Sequence, residues 1–365
     1  MGIIKNFFLI LIPIFLIELI SQLIFLNIGE KRYSVLFKPF TNEIEKKVDT
    51  VEYEVDWDYK NNKMTPGEFK HNNINYIINS KGFRGKEFKV TKEKIRLLAF
   101  GGSTTIGLES PEDKTYPYLL EALLNSSGKK FEVINMGFGS KSLNFIKSLY
   151  VNEALKYNPD IITIYSNRNS IMYDGSYSKK KINIKLLAVT SYLQENIMTY
   201  RLMLKIYNRV NNQIYSNNDN LKSPFHKKGI SKDYLINGYK NTLLEIIELS
   251  KENKVRVVLI KQAYLLNPKL QEKIGSFSIE ELIKLFEKNY FIETYDISHE
   301  ENFWLVLGSI LNKNLDYLER YENVVVVDPI NNLIENKNNF VDYLHLSPEG
   351  NAVLANEIYK KIKTN

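Results

Sequence analysis

Residues 95–107 read IRLLAFGGSTTIG. An apolar run of strand length stops at two glycines, and a serine follows in a turn of small residues. A short strand that is apolar on both sides belongs where both faces are covered, as in a parallel sheet between helices. Further short apolar runs follow: FEVINMG (131–137), DIITIYS (160–166), VRVVLIKQ (255–262) and NVVVVDPI (323–330). Between them lie segments with helical spacing, YPYLLEALLN (116–125), LNFIKSLYVNEALKY (143–157) and YLINGYKNTLLEIIELSKEN (234–253), and PEGNAVLANEIYKKI (348–362) closes the chain. Strand and helix alternating through short connections predict a three-layer α/β/α sandwich around a central parallel sheet.

Two stretches break this rhythm. Residues 171–230 contain LLAVTSYLQENIMTYRLMLKIYNRV, and residues 264–320 are mostly helical in period with Trp304 inside. Both are expected to be helical insertions over one end of the sheet, their aromatic and Met content serving local packing. Ahead of the first strand, residues 31–93 read as a polar, tyrosine-rich connector and N-terminal extension. It contains Gly82-Phe83-Arg84-Gly85, expected as a tight turn with left-handed glycines and an exposed arginine.

The chain begins with an apolar segment. Residues 7–27, FFLILIPIFLIELISQLIFLN, are apolar except for Glu18, Ser21, Gln22 and Asn27. That length spans a bilayer core as a helix, and no small-x-small cleavage signal follows. Residues 1–30 are therefore expected to be an uncleaved N-terminal membrane anchor, a transmembrane helix in which Glu18 faces a partner helix or sits shallow. Lys5 precedes the span and Lys31 and Arg32 follow it, a count that leans toward a cytoplasmic body; long domains translocate regardless of such counts. The expectation is a body outside the cytoplasm.

Composition removes several functions. The chain has 365 residues, net charge +7 and no cysteine, which excludes disulfides, thiolate catalysis and Cys-based zinc sites. The positive excess is thin, densest at 179–181, and does not form a nucleic-acid footprint. His71, His226, His299 and His345 are scattered, without a two-histidine helical motif, so no metal is expected. No cofactor is implied either. GGSTTIG lacks the lysine of a phosphate-binding P-loop.

In open α/β sheets ligands bind beyond the carboxyl ends of the strands. Those ends carry Ser103 after IRLLAFGG, Gly139 after FEVINMG, and Asn167, Arg168 and Asn169 after DIITIYS. Before the last helix, FVDYLHLSPEGN (340–351) carries Asp342 and His345, then Ser347-Pro348-Glu349, a helix N-terminus with a hydroxyl cap and proline at the first position. A hydroxyl, an imidazole and a carboxylate are the parts of acyl-transfer chemistry. His345 would take the Ser103 proton, and Asp342 would hold the imidazole tautomer. The N–H groups of Ser103 and Gly139 and the amide of Asn169 would stabilise an oxyanion. Asn167 and Arg168 would line the site.

These blocks, Gly101-Gly102-Ser103, Gly139 in NMGFGSKS, Asn169 in SNRNS and Asp342-x-x-His345, resemble the SGNH (GDSL-type) hydrolase superfamily in order and setting. The GFRG turn is similar to that of many bacterial members. The likeness spans roughly residues 78–170 and 235–365, so that residues 94–365 would be an SGNH-like, flavodoxin-like domain carrying the two insertions. It implies a serine hydrolase of esters, without cofactor. Small acyl (acetyl) esters on a carbohydrate or cell-envelope glycan are the leading substrate, with hydrolysis and O-acyl transfer both open. The alternatives are a lipid or lysophospholipid esterase, and a degenerate scaffold that binds without turnover. Three positions depart from the pattern. Gly102 replaces the usual aspartate, a familiar variant. Asn167 replaces a glycine and is expected to crowd the oxyanion pocket, and Ser170 replaces an acid, which is expected to loosen the loop holding Asn169.

Overall fold

The structure, a computed structural model, describes residues 13, 16–21, 23–24, 57–58, 63–71, 74–126, 128–175, 197, 199–200, 202–203, 230–265, 268–287 and 300–364. The basic run 179–181, most of the stretch 171–230 expected to be helical, most of the apolar segment 7–27, and His226 and His299 lie outside the described residues. The chain divides into two compact units, Met1–Thr50 with Ser178–Lys222, and Val51–Tyr177 with Ser223–Asn365.

The second unit holds the sheet. Two short antiparallel pairs come first: β1 (Trp57–Asp58) with β2 (Lys63–Met64), and β3 (Gly67–His71) with β4 (Ile74–Ile78). Then β5 (Ile95–Gly101), β6 (Phe131–Gly137), β7 (Ile161–Tyr165), β8 (Arg256–Ile260) and β9 (Val324–Val327) form one parallel sheet in the order β6-β5-β7-β8-β9. Its α-helices among the described residues are α1 (Ser103–Ile106), α2 (Tyr116–Asn125), α3 (Leu143–Asn152), α4 (Arg168–Tyr173), α5 (Tyr239–Glu252), α6 (Pro268–Gly275), α7 (Ile279–Glu287), α8 (Glu300–Leu318), α9 (Ile330–Ile334) and α10 (Pro348–Thr364).

Burial explains the unbroken apolar strands. Leu98 and Phe100 of β5, Ile162 and Ile164 of β7, and Val257 and Leu259 of β8 enter one core with α3, α5 and α8. Their neighbours Leu97, Ala99, Ile161, Tyr165, Val258 and Ile260 enter the other, with α2 and α10. Alternate side chains thus feed two apolar layers, and a polar residue at either parity would be buried. Burying each large aliphatic contributes about 1.5–3 kcal/mol, set against the chain entropy of ordering it.

The stretch 264–320 is more than an insertion. Its last helix, α8, is the crossover between β8 and β9, and Trp304, Leu307, Ile310, Leu311 and Leu315 lie in the first core. Its apolar residues therefore serve the central fold.

In the first unit, residues 16–21 and 23–24 are helical. Glu18 is 3% exposed and accepts hydrogen bonds from Thr199 N–H (2.8 Å) and Thr199 Oγ1–H (2.5 Å). The awkward acid is thus satisfied by a threonine from the 171–230 stretch. Among the described residues no helix is long and apolar enough to cross a membrane, so the expected transmembrane helix is not part of what the structure describes.

Candidate active site

The strand order reverses between β5 and β7, which opens a crevice at their carboxyl ends. The chain leaves β5 at Gly101 and enters α1 within two residues, with Ser103 as the first helical residue. Close packing makes this turn possible. A Cβ on Gly137, the last residue of β6, would lie 2.2 Å from Ile106 N, so α1 rests directly on the end of that strand. A Cβ on Gly102 would lie 2.9 Å from Asn169 Nδ2, which puts the amide of Asn169 against the turn before Ser103.

Ser103 Oγ is 2.8 Å from His345 Nε2, and His345 Nδ1 is 2.7 Å from Asp342 Oδ2. The partners are 242 residues apart in sequence, and the loop before α10 closes the gap. That loop is held by itself: Phe340 bridges to Leu346, Val341 N–H donates to His345 O (2.9 Å), and Asp342 Oδ1 accepts from the N–H groups of Leu344 and His345 (both 2.7 Å). Ser347 caps α10, its Oγ accepting from Gly350 N–H at 3.2 Å. Partial burial alone would raise the Asp342 carboxyl; the imidazole and the two backbone N–H groups outweigh it and hold the group down at about 2. Asp342 is then a carboxylate at neutral pH and can only accept. Nδ1 of His345 must donate to it, which leaves Nε2 as the acceptor of the Ser103 proton. A hydroxyl so oriented can attack a carbonyl as its proton moves to the imidazole.

A small pocket opens here, lined by Gly102, Ser103, Asn169, Lys141, Arg168 and Leu344 among others. Ser103 N–H belongs to the first turn of α1, where no intrahelical acceptor exists. Ser103 and Asn169 therefore meet the expected grouping. Gly139 does not line this pocket; it packs beside Leu108, whose Cδ1 would be 3.8 Å from an added Cβ. The loop does reach the site, since Phe138 N–H donates to Gly101 O (3.0 Å) and Lys141, two residues past Gly139, lines the pocket.

Both third-block departures are tied into the structure by hydrogen bonds, and Asn167 lines the pocket as expected. Asn167 is 3% exposed, and its amide is committed to other groups. Its Nδ2 donates to Gly308 O (2.9 Å) and Asn312 Oδ1 (3.0 Å) of α8, and its Oδ1 accepts from Tyr264 OH (3.0 Å). Asn167 thus ties the end of β7 to the crossover helix. Ser170 is fully buried and accepts from Leu143 N–H (3.0 Å), with Ser166 Oγ at 2.9 Å. One turn later Asp174 accepts from Ser142 Oγ (2.8 Å) and Asn144 N–H (3.0 Å). The two side chains, from α4 and the residue that ends it, cap the start of α3. These bonds tie the segment after Asn169 to the start of α3.

Arg84 corrects the reading of the GFRG turn. Gly82 and Gly85 do take left-handed φ, 80° and 114°. Arg84, expected exposed, is 2% exposed. Its guanidinium donates to Ile106 O (2.8 Å), Gly107 O (2.6 Å) and Ser110 O (2.8 Å), carbonyls at the end of α1 and just beyond, and lies 4.2 Å from the Tyr76 ring centre. Burial lowers its pKa to about 10. The turn is a buttress for the helix that begins with Ser103. Sequence reasoning missed this because a glycine-flanked arginine is the same word exposed or buried.

No known family description matches the sequence, and no curated protein matches it. Solved structures that resemble it include an acetyl xylan esterase, 16% identical over 73% of this chain and 98% of that one, TM-score 0.41. An acetylxylan esterase from Geobacillus stearothermophilus is 13% identical over 75% of this chain and 96% of its own, TM-score 0.41. A member of the lipolytic G-D-S-L family from Veillonella parvula is 13% identical over 74% and 99%, TM-score 0.42. Likeness of this size carries no argument about activity, which must rest on the site itself.

Proposed function

We propose that this chain is a serine ester hydrolase of the SGNH type. Ser103 is the nucleophile, His345 the general base and Asp342 its orienting carboxylate. The observation that carries this reading is the continuous line from Ser103 Oγ through His345 to Asp342, at 2.8 and 2.7 Å. Ser103 N–H and the Asn169 amide are the leading oxyanion donors, with Gly139 N–H as the third. The pocket is small and rimmed by polar and cationic groups, which favours a short acyl group over a long chain. An acetyl ester on a carbohydrate is the substrate class proposed, with water or a sugar as acceptor.

Residues 7–27 are proposed to anchor the chain in a membrane, with the hydrolase body outside the cytoplasm. Exposed Leu16, Ile17, Ile20 and Leu23 on the described helical part support lipid contact. Protease accessibility of the body in spheroplasts tests this; protection there and digestion only after lysis would reverse the orientation.

The test of the activity is hydrolysis of p-nitrophenyl acetate alongside labelling by a fluorophosphonate. Ser103→Ala should abolish both, and His345→Ala should reduce both by about 10³-fold or more. Labelling that persists undiminished in His345→Ala would remove the proposed base. A clear preference for a long-chain ester over the acetate would replace the acetyl assignment by a lipid esterase.

A further inference from the structure

The site holds a cation that the hydrolysis of a neutral ester does not use. Arg168 lines the pocket beside Ser103 and Asn169. Its guanidinium carbon lies 4.9 Å from the Trp304 ring centre and 5.9 Å from that of Tyr343. Trp304 comes from α8 and Tyr343 from the loop carrying Asp342 and His345, so two distant segments form an aromatic slot for one arginine. Among the described residues no carboxylate pairs with Arg168, and its buried Nε has no hydrogen-bond partner. The pocket lining contains two cationic side chains, Lys141 and Arg168, and no carboxylate. The nearest acid on the His345 loop, Asp342, is already engaged by the imidazole and two backbone N–H groups.

An arginine stacked on aromatics keeps its planar fork available for an oxyanion in its plane. A forked donor matches a carboxylate or phosphate in a bidentate manner, and such bonds are roughly twice as strong as neutral ones. The contrast with Arg84 is informative. There the guanidinium is spent on three backbone carbonyls; among the described residues Arg168 has no such acceptors, and it lines the pocket.

We propose that Arg168 recognises a negative charge on the substrate, so that the ester opened at Ser103 is carried by an anionic molecule, an acidic saccharide bearing a carboxylate or phosphate close to the scissile bond. This inference rests on the ester-hydrolase reading for the identity of the reacting bond, but not for the anion contact. Arg168 acts here as a specificity-determining residue.

The test compares three acetate esters on the full-length chain in detergent: acetylated glucose, acetylated glucuronic acid and acetylated glucose 6-phosphate. The expected kcat/KM ratio of anionic to neutral ester is about 10–100 in the unaltered protein. Arg168→Gln should bring that ratio to about one, and Arg168→Lys should restore part of it, since it returns charge without the fork. The two anionic esters separate carboxylate from phosphate as the recognised group. A ratio near one in the unaltered protein, or a ratio that Arg168→Gln leaves intact while both rates fall together, would overturn the inference and leave a purely structural arginine. Binding supplies a readout free of turnover. In Ser103→Ala, calorimetry should show the anionic esters binding more tightly than the neutral one, and adding Arg168→Gln should erase the difference. Preference in binding without any hydrolysis by the unaltered chain would sink the hydrolase reading and keep the anion site; hydrolysis without preference would do the reverse.

Discussion

Replacing Arg84 by methionine keeps a long side chain in the buried space and removes the guanidinium. Three donations are lost, to Ile106 O, Gly107 O and Ser110 O. Hydrogen bonds to a charged group contribute roughly 1.5–3 kcal/mol each, so the gross loss is about 5–9 kcal/mol. Against this stands the cost of burying the charge. Burial takes Arg84 from its ordinary 12.5 to about 10. At ~1.4 kcal/mol for each tenfold change in proton affinity, that cost is about 3 kcal/mol and is recovered in the variant. The net expectation is a loss of roughly 2–6 kcal/mol, large against a typical domain stability of about 5–15. Urea denaturation followed by tryptophan fluorescence measures it. Because the carbonyls belong to the end of α1 and the turn beyond, the variant should also slow fluorophosphonate labelling of Ser103 by about tenfold below the unfolding transition. A midpoint shift worth under about 0.5 kcal/mol would refute the buttress reasoning, since surface substitutions fall in that range. A large shift with unaltered labelling would leave Arg84 as packing alone.

Three further outcomes are expected. Asp342 should titrate near 2 by carboxyl ¹³C NMR; because its folded value lies below the ordinary 3.8, the stability it contributes is present above that pH and fades as pH falls toward 2, and a midpoint at or above 3.8 would contradict the hydrogen bonding described. Gly137→Ala sets a Cβ 2.2 Å from Ile106 N, a backbone atom that cannot rotate away, so it should cost about 1–3 kcal/mol and lower kcat more than it raises KM; unchanged thermal stability would show that α1 shifts freely. Asn167→Gly should destabilise by about 1–3 kcal/mol, because Tyr264 OH, Gly308 O and Asn312 lose a partner; higher esterase activity without loss of stability would instead show that Asn167 crowds the pocket.

Much of the fold was legible because burial on both faces leaves a mark that one chain displays. The strand at 131–137 and the helix at 116–125 have the predicted ends. The helix expected over 143–157 instead ends at Asn152 and continues as a 3-10 turn, Ala154–Tyr157. The stretch 264–320 was harder, because a crossover helix and an insertion share the same apolar period; packing of Leu307 and Ile310 into the sheet's first core distinguishes them.

Neighbouring residues are enough to fix the alternation of strand and helix, and with it the strand ends where a serine, an asparagine and an Asp-x-x-His can gather. Hydrophobic periodicity is a local property, so it is written in neighbouring residues. Tertiary structure alone decided which polar groups meet. It joined Ser103 to His345, buried Arg84 beneath the nucleophile's helix, set Asp174 against the first turn of α3, and left Arg168 stacked on Trp304 and Tyr343. The physical reason is that a hydrogen bond or an ion contact acts over a few ångströms between residues far apart in the chain. Its worth depends on how completely both partners are withdrawn from water.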